Sequence, residues 1–168
     1  MNFKFSLSAS IAAAILVSAS VASCHHIDDD RTPPAPVWVP FTSQAVWELY
    51  GVSGALDYKE FIKPLGVPSP SFFTAISQTG FGGVLLVCDI NNTPLAYDLS
   101  CPVENRSDIR VKVDAEDHQA YCEVCHSRYE IFTNYGTPVA GPAAKHGYGL
   151  TKYLVGSGPN GEYRVITR

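Results

Sequence analysis

Short strand-like segments separated by turn residues fill the sequence after residue 36, and this pattern constrains the fold most. Residues 83–88 (GVLLVC) form an apolar run of the length of a strand buried on both faces. Residues 109–113 alternate between apolar and basic side chains, as in a half-buried strand. Turns rich in Gly, Pro and Asn recur between such segments. We therefore predict an all-β, antiparallel sandwich or barrel with little helix.

Other segments extend this pattern. After a turn at 91–94, residues 95–99 are predicted to return as the partner of 83–88. Residues 119–122 and 128–132 flank a C-x-x-C motif as a hairpin-like pair, and 150–155 and 163–166 are predicted closing strands. The polar residues 114 and 116–118 predict a turn, and 143–147 are predicted to be a loop. The region 47–76 is less regular; we expect one helical turn at 58–62, and the prolines at 64, 68 and 70 prevent a longer helix.

The start of the chain is typical of an export signal. Lys4 supplies a positive charge, residues 11–17 are an apolar run too short to span a membrane, and small residues 21–23 precede Cys24. This order resembles a bacterial lipobox, in which the cysteine is lipidated and becomes the new N-terminus. An ordinary secretory signal, cleaved after a small residue, is the alternative.

The lipobox interpretation divides the chain into three parts. Residues 1–23 are a lipoprotein signal peptide, 24–36 an anchor with a proline-rich linker, and 37–168 a single β domain. We expect an exported protein, held in the bacterial cell envelope by its lipid, at the outer membrane or the cell surface. Acidic residues 28–30 resemble an export tag of Bacteroidetes surface lipoproteins, and a solvated tether is the alternative.

Charge narrows the range of partners. The chain has 12 Lys and Arg against 16 Asp and Glu, for a net charge of −4. An acidic balance gives no support for nucleic-acid binding. The predicted partners are the membrane, through the lipid anchor, and a protein that the sequence does not identify.

Three cysteines and a histidine are the candidate metal ligands. Cys101 follows a predicted strand, and Cys122 and Cys125 form the C-x-x-C motif with His126 directly behind. Thiols brought together by two loops, with one histidine, suit zinc or an iron–sulfur cluster. A disulfide from Cys101 to Cys122 or Cys125, or a redox-active disulfide within the motif, is an open alternative. Cys88 lies in the apolar run and is predicted to be a small buried hydrophobe.

The residues around these cysteines resemble the Rieske iron–sulfur domain. That family carries Cys-x-His on one loop and Cys-x-x-His, followed by Gly-Ser, on the other. The similarity covers about 82–167 of this chain. It is carried by residues 101–103 (CPV), 122–129 (CEVCHSRY) and 141–143 (GPA). The resemblance implies a Rieske-like antiparallel scaffold with two ligand loops at one end. The chain is also similar to a group of Rieske-like Bacteroidetes lipoproteins.

Two departures from the Rieske pattern change the expected chemistry. Val103 has no donor atom where the family has its first histidine, and Cys125 replaces the second. His126 stands one position later, where the family has glycine. The resemblance therefore implies a degenerate module that binds a 2Fe-2S cluster, zinc or no metal through Cys101, Cys122, Cys125 and His126. Electron transfer, without a catalytic residue, is the expected role, and a metal-free interaction protein with a loop disulfide is the alternative.

Overall fold

The computed structural model describes residues 26–63, 73 and 76–168. The predicted signal peptide and the lipidated Cys24 lie outside the described residues. The described elements, in chain order, are β1 (Val37–Phe41), α1 (Gln44–Tyr50), β2 (Tyr58–Phe61), β3 (Gln78–Thr79), β4 (Val84–Cys88), β5 (Pro94–Asp98), β6 (Val111–Asp114), β7 (Gln119–Cys122), β8 (Arg128–Glu130), β9 (Thr137–Ala140), α2 (Gly141–His146), β10 (Lys152–Ser157) and β11 (Tyr163–Ile166).

The strands form two antiparallel sheets. Seven strands pair in the order β2-β4-β5-β10-β11-β1-β3, a nearly closed, barrel-like sheet. The other four pair in the order β6-β7-β8-β9. The prediction of a mostly β, antiparallel architecture with little helix is confirmed.

Strand β4 lies between two hydrophobic cores, which explains its continuous apolar sequence. Leu85 and Val87 face the core between the two sheets. Val84, Leu86 and Cys88 face the core inside the seven-stranded sheet. All five side chains are buried, so the strand alternates between two apolar environments rather than between core and solvent. Cys88 is a free, buried thiol on the side of Val84 and Leu86, as predicted.

Two local predictions were wrong. Tyr58–Phe61 is the edge strand β2, because it pairs with β4 in antiparallel register, and is not a helical turn. Residues 143–147 are not a loop, because 143–146 belong to the short helix α2, which starts at the Gly-Pro-Ala motif. Pro142 stands in its first turn, where a missing N–H costs nothing, and Gly147 ends it in the left-handed conformation at φ 72°.

The residues before β1 pack on the domain instead of forming a free spacer. The backbone of Asp28 forms a parallel bridge with Tyr148 and accepts a hydrogen bond from Gly149 N at 2.9 Å. The Asp29 carboxylate lies 3.0 Å from Lys152 Nζ and 2.9 Å from an Arg168 nitrogen. We call residues 28–32 the N-terminal strap.

Among the described residues, no helix is long and apolar enough to cross a membrane.

Candidate metal centre

Three thiols from two loops converge at one end of the core between the sheets. The sulfur atoms of Cys101, Cys122 and Cys125 all lie within 4.8 Å of one another. The Sγ atoms of Cys101 and Cys125 are 3.5 Å apart. Two thiolates bound to one zinc at about 2.3 Å lie roughly 3.8 Å apart when the geometry is tetrahedral. The spacing therefore suits ligands of a common ion.

The first loop leaves β5 and carries Cys101. Its backbone is held at both sides of the thiol, since Cys101 N donates to Ile109 O at 2.9 Å and Asn105 N donates to Cys101 O at 2.8 Å. Asp98, at the end of β5, is completely buried and accepts from Ser100 N at 2.7 Å. The same carboxylate accepts from Gly82 N and from the Tyr153 hydroxyl. Asp98 therefore fixes the backbone directly before Cys101.

The strap also supports this loop. Arg31 Nε donates to Pro102 O at 3.1 Å, and its guanidinium lies 3.9 Å from the centre of the Tyr148 ring. The buried hydroxyls of Thr32 and Ser100 are 3.3 Å apart. A segment that the sequence predicted to be a linker thus contacts the residues on both sides of Cys101.

The second loop joins β7 to β8 and closes on itself. His126 N donates to Cys122 O at 2.9 Å, and Cys122 N donates to Ser127 O at 3.0 Å. The turn needs a positive φ at His126, which is 57°. Helix α2 supports the loop from outside, because Ala143 N donates to Ser127 Oγ at 3.0 Å.

Burial and hydrogen bonding act on the thiols in opposite directions. Burial raises the pKa of the Cys101 thiol to about 12 and also raises the pKa of Cys122. Hydrogen bonding from the backbone of Glu104 and Val103 lowers the pKa of Cys101 in part, and hydrogen bonding from the backbone of Cys125 and Val124 lowers the pKa of Cys122 in part. Such hydrogen bonds stabilise a thiolate. A cation would therefore find two sulfur ligands whose thiolate form is already partly stabilised.

Two hydroxyl groups complete the surroundings of the sulfurs. The Tyr129 hydroxyl is buried and lies 3.6 Å from Cys101 Sγ. Cys125 Sγ donates to Ser127 Oγ at 3.2 Å. Ser127 lies just before β8, and Tyr129 lies on it. Both belong to the segment 122–129 that resembles the Rieske family, and this resemblance could have identified them as part of the site.

The other predicted site residues lie elsewhere. His126 is exposed, and its imidazole is not among the atoms that converge. Val103 is half-buried and packs against the core that contains Cys101 and Cys122. Cys88, Cys101, Cys122 and Cys125 are all free thiols in this structure. The disulfide alternatives stay predictions, because the surrounding redox conditions determine whether the bond forms.

Comparisons with protein-family models, with curated proteins and with solved structures gave no match for this chain. The class that the fold and site define is thus an antiparallel β domain with a cluster of three thiols. The Rieske resemblance stays a prediction from the sequence.

Proposed function

We propose that this chain is a metal-binding protein of the bacterial cell envelope, with Cys101, Cys122 and Cys125 as its ligands. The convergence of three thiols from two separate loops supports this proposal most. Free cysteines are often buried singly as small hydrophobes, as Cys88 is. Three thiols on two loops are instead the arrangement of soft-metal sites.

The donor set favours a single ion over a cluster. A 2Fe-2S centre takes four protein ligands in two pairs. Among the described residues the group contains three thiols, and neither Val103 nor His126 supplies a fourth donor to it. Three mutually close sulfurs can all bind one ion at about 2.3 Å.

Electron transfer is the second candidate function, and the hydrogen bonds to sulfur favour it. The Tyr129 hydroxyl lies 3.6 Å from Cys101 Sγ, and Cys101 and Cys122 are completely buried. Hydrogen bonds to sulfur and burial are two of the factors that set the reduction potential of an iron–sulfur centre. A 2Fe-2S cluster in this chain would need a fourth ligand from outside the group.

Metal analysis of the whole protein tests both candidates. The full chain is produced anaerobically with iron, zinc and copper supplied, and iron, zinc, copper, acid-labile sulfide and the visible spectrum are measured. We expect about one metal per chain in the wild type and in Cys88→Ala, and none in Cys101→Ala. Iron with an equal amount of sulfide would favour the electron-transfer role. Metal-free protein with a disulfide between the loops would instead support an interaction protein on a metal-free scaffold.

We further propose that a lipid on Cys24 attaches the protein to the membrane. The order of Lys4, the apolar run at 11–17 and Cys24 supports this. Mass spectrometry of the mature N-terminus and fractionation of Cys24→Ala test it. Acylated Cys24 and loss of the variant from the membrane fraction are expected. A mature chain that begins at another residue, without lipid, would contradict it.

A further inference from the structure

Within residues 26–63, 73 and 76–168, no fourth His, Cys, Asp or Glu donor joins the thiol cluster. The three sulfurs form the whole group of His, Cys, Asp and Glu atoms that converge there in the described part of the chain. The nearby hydroxyls already have partners, since Ser127 Oγ accepts from Ala143 N and from Cys125 Sγ. Zinc in structural sites is almost always bound by four ligands in a tetrahedron. This donor set is one ligand short for zinc.

Apolar packing closes most of the space around the sulfurs. Cys101 and Cys122 are completely buried members of the core that also contains Leu99 and Val111. Val103 and Cys125 are half-buried and pack against the same core. A water molecule as a fourth ligand would need polar partners, and the two hydroxyls beside the sulfurs, those of Ser127 and Tyr129, already contact the thiols. The lining therefore favours an ion that accepts a low coordination number.

The spacing of the sulfurs agrees with three-coordinate binding. Three thiolates in a plane around one ion, each bonded at roughly 2.3 Å, lie about 4.0 Å apart. The thiols lie within 4.8 Å of one another, and the shortest pair, Cys101 and Cys125, is separated by 3.5 Å. Small side-chain rotations would make the three distances equal.

Charge is the remaining requirement. Three thiolates around a singly charged ion leave two negative charges in a buried site. The Tyr129 hydroxyl, 3.6 Å from Cys101 Sγ, can donate a hydrogen bond to one thiolate and offset part of this charge. Soft thiolates select Cu(I) among the monovalent ions of the first transition row.

We propose that the cluster of Cys101, Cys122 and Cys125 binds one Cu(I) ion in three-coordinate geometry; this rests on the proposed metal-binding function. Binding releases the three thiol protons to solvent as the Cu–S bonds form. No electron is transferred, because copper enters as Cu(I).

Anaerobic titration of the full chain with Cu(I), in competition with a chromogenic Cu(I) chelator, tests the proposal. We expect one equivalent to bind. X-ray absorption of the copper-loaded wild type should show three sulfur neighbours and no nitrogen or oxygen neighbour. Cys125→Ser should weaken binding at least a hundredfold and Cys88→Ala less than twofold, with circular dichroism to verify folding. The absorption measurement needs no variant, so it remains decisive if Cys125→Ser does not fold.

Co(II), which reports tetrahedral sites by intense visible bands, gives the opposing test. We expect no such bands from the wild type. Tetrahedral Co(II) bands, or a nitrogen or oxygen neighbour on bound copper, would overturn three-coordination. Zinc or iron binding without Cu(I) binding would overturn this inference and leave the proposed function standing. Failure of all these metals to bind would overturn both.

Discussion

The two ligand loops are held by different kinds of contact. The loop of Cys101 depends on remote groups, since Asp98 joins it to Tyr153 on β10 and Arg31 joins it to the strap. The loop of Cys122 and Cys125 is closed by its own backbone hydrogen bonds and supported by the adjacent helix α2. The comparison teaches that one half of the site forms with the whole fold, whereas the other half is largely a local hairpin.

The largest expected effect comes from removing the buried carboxylate of the first loop. Asp98→Ala leaves the N–H groups of Phe81, Gly82 and Ser100 and the Tyr153 hydroxyl without their acceptor. Because each of these four donors costs about 1–3 kcal/mol when left buried and unsatisfied, we expect the free energy of unfolding to fall by at least about 4 kcal/mol. Urea unfolding measures this.

Tyr153→Phe is the matched control, because it removes one of these donors and leaves the carboxylate with the others. Its expected loss is about 1–2 kcal/mol. Equal losses in the two variants would show that Asp98 does not organise the first loop.

The second loop should be most sensitive where α2 approaches it closely. Gly141 has a φ of 75°, and a Cβ there would lie 2.8 Å from Ser127 Cα and 2.9 Å from His126 O. We expect Gly141→Ala to cost about 2–3 kcal/mol, as the positive φ alone costs about 1–2 kcal/mol. Thermal unfolding measures it.

Gly54→Ala is a control for backbone strain alone, because Gly54 also has a positive φ and a Cβ there would meet nothing within 4 Å. If Gly54→Ala cost as much as Gly141→Ala, the close approach of α2 to the second loop would contribute nothing.

Removing a contact of the strap should lower the stability less, and the change should be confined to the first loop. Arg31→Ala removes the hydrogen bond to Pro102 O and the contact with the Tyr148 ring, for an expected loss of about 1–2 kcal/mol. The Cys101 thiol should react faster with a thiol reagent while the Cys122 thiol is unaffected. Cys101 is monitored in a variant without the other reactive cysteines.

Arg106→Ala is the matched control for charge, because Arg106 forms an exposed ion pair with Asp108 on the same loop. Exposed pairs contribute little. A Cys101 reaction rate that is the same in Arg31→Ala and Arg106→Ala would argue against support from the strap.

The smallest expected effect is a loss of folding stability at alkaline pH. Burial first, and then the Asp98 carboxylate, raise the pKa of Tyr153 above its ordinary value of 10.0. A raised pKa means that the folded state holds the proton longer, so this stability is fully present below pH 10 and is lost as pH rises further. The free energy of unfolding, measured between pH 9 and 11.5, should decline as pH rises. The decline should be shallower in Tyr153→Phe. An identical pH dependence in wild type and variant would exclude a contribution from this tyrosine.

Much of the fold was predictable because it depends on local patterns. The apolar run of β4 and its return as β5 were predicted from composition and from the turn between them. The turn at 115–118 between β6 and β7 was predicted from its polar residues. Strand β2 was not predicted, because Tyr58–Phe61 is mostly exposed and becomes a strand by pairing with β4. Helix α2 was missed because its Gly-Pro start is also a turn signal.

The candidate site was predictable to the level of residue type. Thiols placed where strands end were expected to meet, and those of Cys101, Cys122 and Cys125 do so. His126 was expected among them because it is next in sequence. A turn with φ 57° at that residue leaves it exposed, and adjacency in sequence does not determine on which side of a tight turn a side chain lies.

The sequence by itself determined the strand pattern and the three thiols at the ends of strands, because hydrophobic periodicity and turn residues act locally. Only the tertiary structure decided how the site is supported. Asp98 reaches Tyr153, and Arg31 reaches Pro102, across 55 and 71 residues. Such contacts leave no periodic signal, because they exist only after the two sheets and the strap have packed. The same packing surrounds three thiols largely with apolar side chains and, in the part of the chain that the structure describes, supplies no fourth ligand, which no spacing in the sequence could establish.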